Sequence, residues 1–250
     1  MNPLRLENTM FSKTTAYYDK IYSFKDYRAE VQRVTAIIHE NRRSDGNRLL
    51  DVACGTGCHI EYLKAHFDVE GIDLSQEMLE IAQQRNPEVS FHCGNMIDFQ
   101  LGHRFDVITC LFSSIGYVKT LENLISAITC MSQHLVPGGV LVIEPWIAPD
   151  KYYPNTVHSI FIDEPDLRIA RINTSAVEGR VSILDMHYLI GTPQGTEHFI
   201  ERHELAMFEE GEMYHTLTNA GLEVTHDAEG LNDRGLFIGR RPLDAKTVAA

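Results

Sequence analysis

The chain has 250 residues, of which 44% are hydrophobic and 23% charged, enough to bury one large core. Its formal net charge is −13, which argues against extended nucleic-acid binding, because such sites neutralise many phosphates with Lys and Arg. A small anionic ligand needs only a local pair of cations and stays open, whereas no stretch approaches the roughly 18 apolar residues of a membrane-spanning helix.

The first segment, "MNPLRLENTMFSKTTAYYDK", shows no apolar run of signal-peptide length. The five cysteines, Cys54, Cys58, Cys93, Cys110 and Cys130, are odd in number and read as reduced thiols of a cytoplasmic protein. Helical spacing of Tyr27, Val31, Val34, Ile37 and Ile38 predicts a helix over 26–43, broken by Asp45 and Gly46. "RLLDVA" (48–53) reads as a strand and "CHIEYLKAHF" (58–67) as a helix. "VEGIDLS" (69–75) reads as a strand ending at an N-cap serine before the helix "QEMLEIAQQRN". Further strands are predicted at 89–95, 105–112 and 140–146, with an amphipathic helix over 121–135 closed by a turn at Pro137, Gly138 and Gly139.

Residues 48–146 thus alternate strand and helix, the pattern of a doubly wound, mostly parallel sheet whose ligands sit at the strands' carboxyl ends. After Trp146 four segments of two-residue alternation, separated by Gly and Pro, predict an antiparallel insertion over 147–207 on the substrate side. A helix and two strands then complete the core, which comprises 1–146 and 208–240, and 241–250 reads as a tail.

The turn "ACGTG" permits close approach of a ligand to the backbone at Gly55 and Gly57. A third glycine, as in a dinucleotide fingerprint, is missing, since Ile60 stands there; this weighs against the alternative of an NAD-dependent reductase. Asp73 ends the next strand, where a carboxylate accepts from ribose hydroxyls or, equally, starts a helix. Asn95 ends the third strand and, with the Met96 backbone, suits an adenine edge or a polar turn. Cys54, Cys58 and His59 lack a second ligand pair, so no metal is expected.

"LLDVACGTG", "GIDLSQEML", "CGNMIDF" and "LVPGGVLVIEPW" resemble the successive motifs of class I S-adenosylmethionine-dependent methyltransferases. That resemblance implies a Rossmann-like seven-stranded sheet. "YDKIYSFKDYRAEV", "CLFSSIGYVKT", "MHYLIG" and "RGLFIG" resemble, more narrowly, the N,N-dimethyltransferases acting on nucleotide-linked amino sugars in macrolide antibiotic pathways, over about residues 17 to 240. By that resemblance Tyr18 and Tyr27 reach the cofactor's carboxylate, and Ala53 and Gly55 pass its methionine part. Asp73 holds the ribose, Met78 packs on the adenine, Asn95 and Met96 read its edge, and the Leu111 carbonyl receives the amino group. Tyr117 lies near the acceptor nitrogen, Arg234 contacts a diphosphate, and a homodimer is implied. Two departures stand out: Asn95 replaces the branch's usual Asp, and the segment between Tyr18 and Tyr27 is two residues shorter than in the sugar enzymes.

Among the other chemistry-bearing residues, Glu144 is a strand-end carboxylate, either catalytic or an acceptor for loop amides. His59 is a second candidate base or a structural histidine. Ser113 and Ser114 either donate to a substrate or close their loop. Arg168 and Arg171 are candidate helpers for phosphate, and Trp146, Tyr152 and Tyr153 candidate walls of the acceptor pocket. The expected activity is methyl transfer to a small-molecule amine, with O-methylation as the alternative and a catalytically silent cofactor-binding protein as a third reading.

Overall fold

The computed structural model describes residues 14–244. A short helix α1 (Tyr18–Ile21) leads to α2 (Tyr27–Asn41), which starts where the Asp26 carboxylate accepts from the Ala29 N–H at 2.9 Å. There follow β1 (Arg48–Val52), α3 (Cys58–Leu63), β2 (Asp68–Asp73), α4 (Gln76–Arg85), β3 (Ser90–Cys93), β4 (Phe105–Cys110), α5 (Leu121–Gln133) and β5 (Leu135–Ile143). Next come β6 (Val157–Glu164), β7 (Leu167–Glu178), β8 (Val181–Thr192) and β9 (Gly195–Ala206), and the described fold closes with α6 (Glu210–Asn219), β10 (Glu223–Asp227) and β11 (Leu236–Arg240).

Seven strands form one sheet in the order β10-β11-β5-β4-β1-β2-β3, parallel except where β11 runs antiparallel to both neighbours. Side chains alternate between its two faces. Leu50, Ile108 and Leu141 join Leu124, Ile128 and Leu217 from α5 and α6. Leu49, Val107 and Val140 join Val34, Ile38, Ile60 and Leu79 from α2, α3 and α4. Each such aliphatic side chain, fully buried, contributes roughly 1.5–3 kcal/mol, so both helical layers are needed to cover the sheet. No described helix is long and apolar enough to cross a membrane.

The sequence leaves one connection open, and two further local features differ from its expectation. The chain crosses from β3 to β4 without a helix: the Asn95 side chain accepts from the Ile97 N–H at 3.2 Å, making a turn, and Phe99 plugs the core at 5% exposure. Pro137–Gly139 is not a turn closing α5 but a bulge inside β5, where pairing steps from Phe105–Leu135 to Val107–Val140. Arg241, expected in a loose tail, is tied down. Its backbone exchanges hydrogen bonds with Gly138 and Gly139 at 2.9 Å each, and its guanidinium reaches the Leu135 carbonyl at 2.7 Å. Residues 245–250 of that tail lie outside the described residues.

The strands β6 to β9 form a separate antiparallel meander. Its register puts Arg171, Asn173, Met186, Tyr188, Glu201 and His203 on one face and Phe161, Ile172, Leu189 and Ile200 on the other. The first face packs against Ile21, Tyr22, Tyr117 and Trp146.

Candidate active site

Strand order reverses at β1, whose neighbours β2 and β4 lead to opposite edges of the sheet. Crevices at such switch points take the ligand in open α/β sheets. A cavity of about 1690 Å³ lies there, walled by Ala53, Gly55, Asp73 and Asn95 below and by the inward face of β6–β9 above.

The turn after β1 is shaped by left-handed backbone at Ala53 (φ 58°), Gly55 (φ 54°) and Gly57 (φ 73°). A Cβ on Gly55 would meet nothing within 4 Å, so its backbone faces open cavity. On Gly57 a Cβ would sit 2.9 Å from Asn86 Nδ2 and 3.2 Å from Ala82 Cβ, so this glycine lets α3 and α4 pack closely. The Asp73 carboxylate fixes the turn, accepting the Gly55 N–H at 2.8 Å and the Ser75 N–H at 2.9 Å, one on each oxygen. Each oxygen keeps a lone pair for a further donor, as a ribose diol requires. Burial pushes the Asp73 carboxyl above its ordinary range, against the pull of these backbone N–H groups. Met78, Asn95 and Met96 continue the wall beside it.

On the opposite side, Phe112 and Ser113 both hold left-handed backbone, at φ 53° and 60°. Such strain persists only where the surroundings over-determine it. Here the Glu144 carboxylate takes the Phe112 N–H at 2.6 Å, and the Ser113 hydroxyl donates to the Pro145 carbonyl at 2.7 Å. Arg234 donates to the same Ser113 hydroxyl at 2.9 Å and stacks over the Trp146 ring at 4.9 Å, its guanidinium in the cavity wall. Ser114, Tyr117, Trp146, Tyr152 and Tyr153 also line the cavity.

Ten of the thirteen candidate cofactor, substrate and catalytic residues therefore share one cavity: Tyr18, Ala53, Gly55, Asp73, Met78, Asn95, Met96, Ser114, Tyr117 and Arg234. Three do not. Glu144 is 0% exposed and is bonded to Phe112 and, at 3.2 Å, to the Asn232 amide, so it serves the loop rather than the cavity. Leu111 is buried behind the wall, its carbonyl accepting from Ser114 N–H at 3.2 Å. Tyr27 packs edge-on against His59 at 4.9 Å, outside the wall.

The other candidates sort by strand face and by partner. His59 is the structural histidine of the two readings: its Nε2 sits 2.9 Å from Glu30, whose carboxylate also takes Lys25 at 2.6 Å. Burial raises the Glu30 carboxyl, but these partners more than offset it and hold the group down at about 2. Arg168 pairs with Asp163 on the outward face of its sheet and does not reach the cavity. Arg171, three residues on, faces inward at 8% exposure and donates to the Tyr22 hydroxyl at 3.3 Å. Its Nε and the neighbouring Asn173 Oδ1 are buried and have no hydrogen-bond partner among the described residues. Nothing in the sequence singles out Tyr22, Asn173 or Glu201, and it leaves His203, like His187 and His198 of the same insertion, on a strand face without an assigned role. The signal was the two-residue alternation of β7 and β9, once Ile169 and Leu205 mark the buried face.

Residues 49–139 match the family model of a methyltransferase domain. The sheet order and the cavity at its switch point are thus those of a methyltransferase. Over 226 residues the chain is 37% identical to a dTDP-3-amino-3,4,6-trideoxy-alpha-D-glucopyranose N,N-dimethyltransferase of Streptomyces venezuelae, covering 89% of this chain and 95% of that one. It is 40% identical over 227 residues to a dTDP-4-amino-2,3,4,6-tetradeoxy-D-glucose N,N-dimethyltransferase of Saccharopolyspora spinosa, covering 90% and 91%. The solved structure of an amino pentose methyltransferase from Micromonospora echinaspora with S-adenosylmethionine bound superposes with a TM-score of 0.82 at 36% identity, covering 94% of this chain and 99% of that one. The chain belongs to this family of S-adenosylmethionine-dependent methyltransferases. The reductase and the silent-binder readings are thereby set aside. The residues fit the cofactor: Asp73 offers two acceptors for a diol, and Gly55 leaves backbone open to a close-lying chain.

Proposed function

We propose that the protein methylates the amine of a nucleotide-linked amino sugar. One observation carries this reading: a single cavity joins the Gly55–Asp73 turn to Tyr117 and to the pre-stacked guanidinium of Arg234. In this reading the sheet of β1–β5, β10 and β11 presents the methyl donor and residues 147–207 cover the acceptor. Tyr18, Ala53 and Gly55 border the methionine part, Asp73 the ribose, and Met78, Asn95 and Met96 the adenine. Tyr27, Leu111 and Glu144, outside the wall, take no direct part.

When bound, S-adenosylmethionine supplies an electrophilic methyl on a good leaving group. What remains for the protein is alignment and exclusion of water, and alignment alone supplies roughly 7–11 kcal/mol. Arg234 and Arg171, both in the cavity wall, offer the positive charge that a diphosphate needs in a chain of net charge −13. That net charge speaks against a nucleic-acid acceptor. The test is calorimetric titration with S-adenosylhomocysteine, then with a dTDP-amino sugar in its presence. Binding of both, followed by methylation of the amine, is expected; binding of the first without the second would sink the acceptor assignment.

The same reading places the enzyme in the cytoplasm, where its five free thiols persist unpaired. We also infer a homodimer through the outward face of β6–β9, where Val157, Phe161, Leu189, Ile172 and Ile200 are 68, 67, 49, 45 and 40% exposed. Light scattering after gel filtration is expected to give twice the chain mass, and Phe161→Glu to shift it toward the monomer. A wild-type monomer at micromolar concentration would remove this inference.

A further inference from the structure

Tyr117 stands in a chain of hydrogen-bonding groups. Its Oη lies 2.8 Å from His203 Nδ1, and His203 Nε2 lies 3.7 Å from Glu201 Oε2. Glu201 and His203 are two apart on β9 and so point to the same, inward face. Thr14 fixes the carboxylate from the far side, its N–H 3.1 Å from Oε1 and its hydroxyl 2.6 Å from Oε2. All three side chains line the cavity, and His203 is only 3% exposed. One neutral tautomer suits both neighbours: Nε2–H turned to Glu201, and Nδ1 accepting the Tyr117 O–H. The Tyr117 side chain is thereby held in the cavity wall with its hydroxyl directed to His203.

We propose that Tyr117, His203 and Glu201 form a proton relay that deprotonates the acceptor ammonium before methyl transfer. The inference rests on the amine-methylation reading above. In the step, an ammonium N–H bond breaks and its proton joins Tyr117 Oη. The tyrosine's own proton passes to His203 Nδ1, and the resulting imidazolium is paired with Glu201. The nitrogen lone pair so freed forms the new N–C bond to the donor methyl, while the electrons of the C–S bond stay on sulfur. Tyr117 touches the reacting atom; His203 and Glu201 act through it as positioning residues.

The surroundings are consistent with these roles. Burial holds the Tyr117 hydroxyl well above its ordinary value, so a free tyrosinate is not formed and the proton must pass through rather than stop. Burial also raises the Glu201 carboxyl, but the hydrogen bonds from Thr14 and the nearby His203 imidazole outweigh it and hold the carboxyl below its ordinary value. Other titratable groups acting on the pair include Tyr18 and Tyr22 from the N-terminal segment, Asp73 at the end of β2 and Tyr188 from β8, with Arg171 from β7 acting on both Tyr22 and Tyr188.

The test uses the full chain with a dTDP-amino sugar and four variants: Tyr117→Phe, His203→Phe, His203→Gln and Glu201→Gln. His203→Gln still accepts the tyrosine O–H through its amide oxygen yet takes no proton, so it separates orientation from relay. For Tyr117→Phe and both His203 variants, kcat is expected to fall by about 10²-fold with KM within about threefold. The loss of rate at acid pH that marks protonation of the relay is expected to shift in Glu201→Gln and to disappear in the His203 variants. Combining Tyr117→Phe with His203→Phe is expected to cost no more than the larger single loss, as for groups acting in one unit. Nitrogen-15 NMR of the imidazole in the wild type supplies a readout independent of turnover, expected to show the Nε2–H tautomer. An Nδ1–H tautomer overturns the relay, as does an unchanged kcat and pH profile in variants that still bind S-adenosylhomocysteine. A wild type that binds S-adenosylhomocysteine yet methylates no amino sugar refutes the acceptor reading instead, and the tautomer then decides the relay alone.

Discussion

Asp73→Ala is expected to weaken S-adenosylhomocysteine binding by roughly 10²-fold or more while leaving the fold intact. A hydrogen bond to a charged group is worth about 1.5–3 kcal/mol. Two such bonds from a ribose diol to the Asp73 oxygens therefore exceed the roughly 2.8 kcal/mol that corresponds to 10²-fold in affinity. The carboxylate has a second duty, since it also holds the Gly55 N–H at 2.8 Å, and its loss loosens the turn that borders the methionine part. Stability should not follow affinity downward. Burial already disfavours the Asp73 anion and pushes its carboxyl up, so removing it relieves a desolvation cost that offsets the two lost backbone bonds. The measurement is a pair of thermal melts with and without saturating S-adenosylhomocysteine, next to calorimetry. The wild type should gain melting temperature with ligand by mass action, and Asp73→Ala should melt near the unliganded wild type and gain little. Unchanged affinity in the variant would remove Asp73 from the site; a variant that no longer folds is answered by Asp73→Asn, which keeps the volume and one acceptor.

The legible part of this protein is the part written in local patterns. The run of apolar residues into "ACGTG" announced β1 and its turn because strained, ligand-facing backbone demands glycine there. The alternation through "LRIARINTSAVEG" announced β7 for the same kind of reason, since each second residue meets a core. What stayed hidden depends on register and on distant partners. Tyr117 and His203 meet across 86 residues of sequence, where β9 packs against the turn after β4, a contact that no single segment specifies. Arg168 and Arg171 looked equivalent as charges, yet three residues along a strand put them on opposite faces, one bound to Asp163 and one buried in the cavity. Glu144 looked like a site residue because it directly follows β5 at the correct edge of the sheet. The strained Phe112–Ser113 backbone, invisible in the sequence, claims its carboxylate.

Arg234→Ala is expected to raise KM for a dTDP-amino sugar by roughly 10- to 100-fold and to change kcat by no more than a few-fold. The guanidinium is held before any substrate arrives, by the Ser113 hydroxyl at 2.9 Å and by the Trp146 ring at 4.9 Å. Little side-chain entropy is left to lose on binding, so most of a charge-assisted contact of about 1.5–3 kcal/mol appears as affinity. A diphosphate lies remote from the nitrogen that is methylated, so its contact is made equally in ground and transition states. Such uniform binding moves KM and leaves kcat alone. Arg234→Lys should recover only part of the loss, because an ammonium cannot keep the planar stack and a forked contact together. The decisive comparison is the same variant assayed with the free amino sugar, which carries no phosphate. If Arg234 reads the diphosphate, the free sugar is a poor substrate for the wild type and is no poorer for the variant. Equal losses on both substrates would mean that Arg234 acts through Ser113 and the strained turn rather than on the ligand. No loss on either would mean that Arg234 contacts no part of the acceptor and would favour an amino sugar without phosphate.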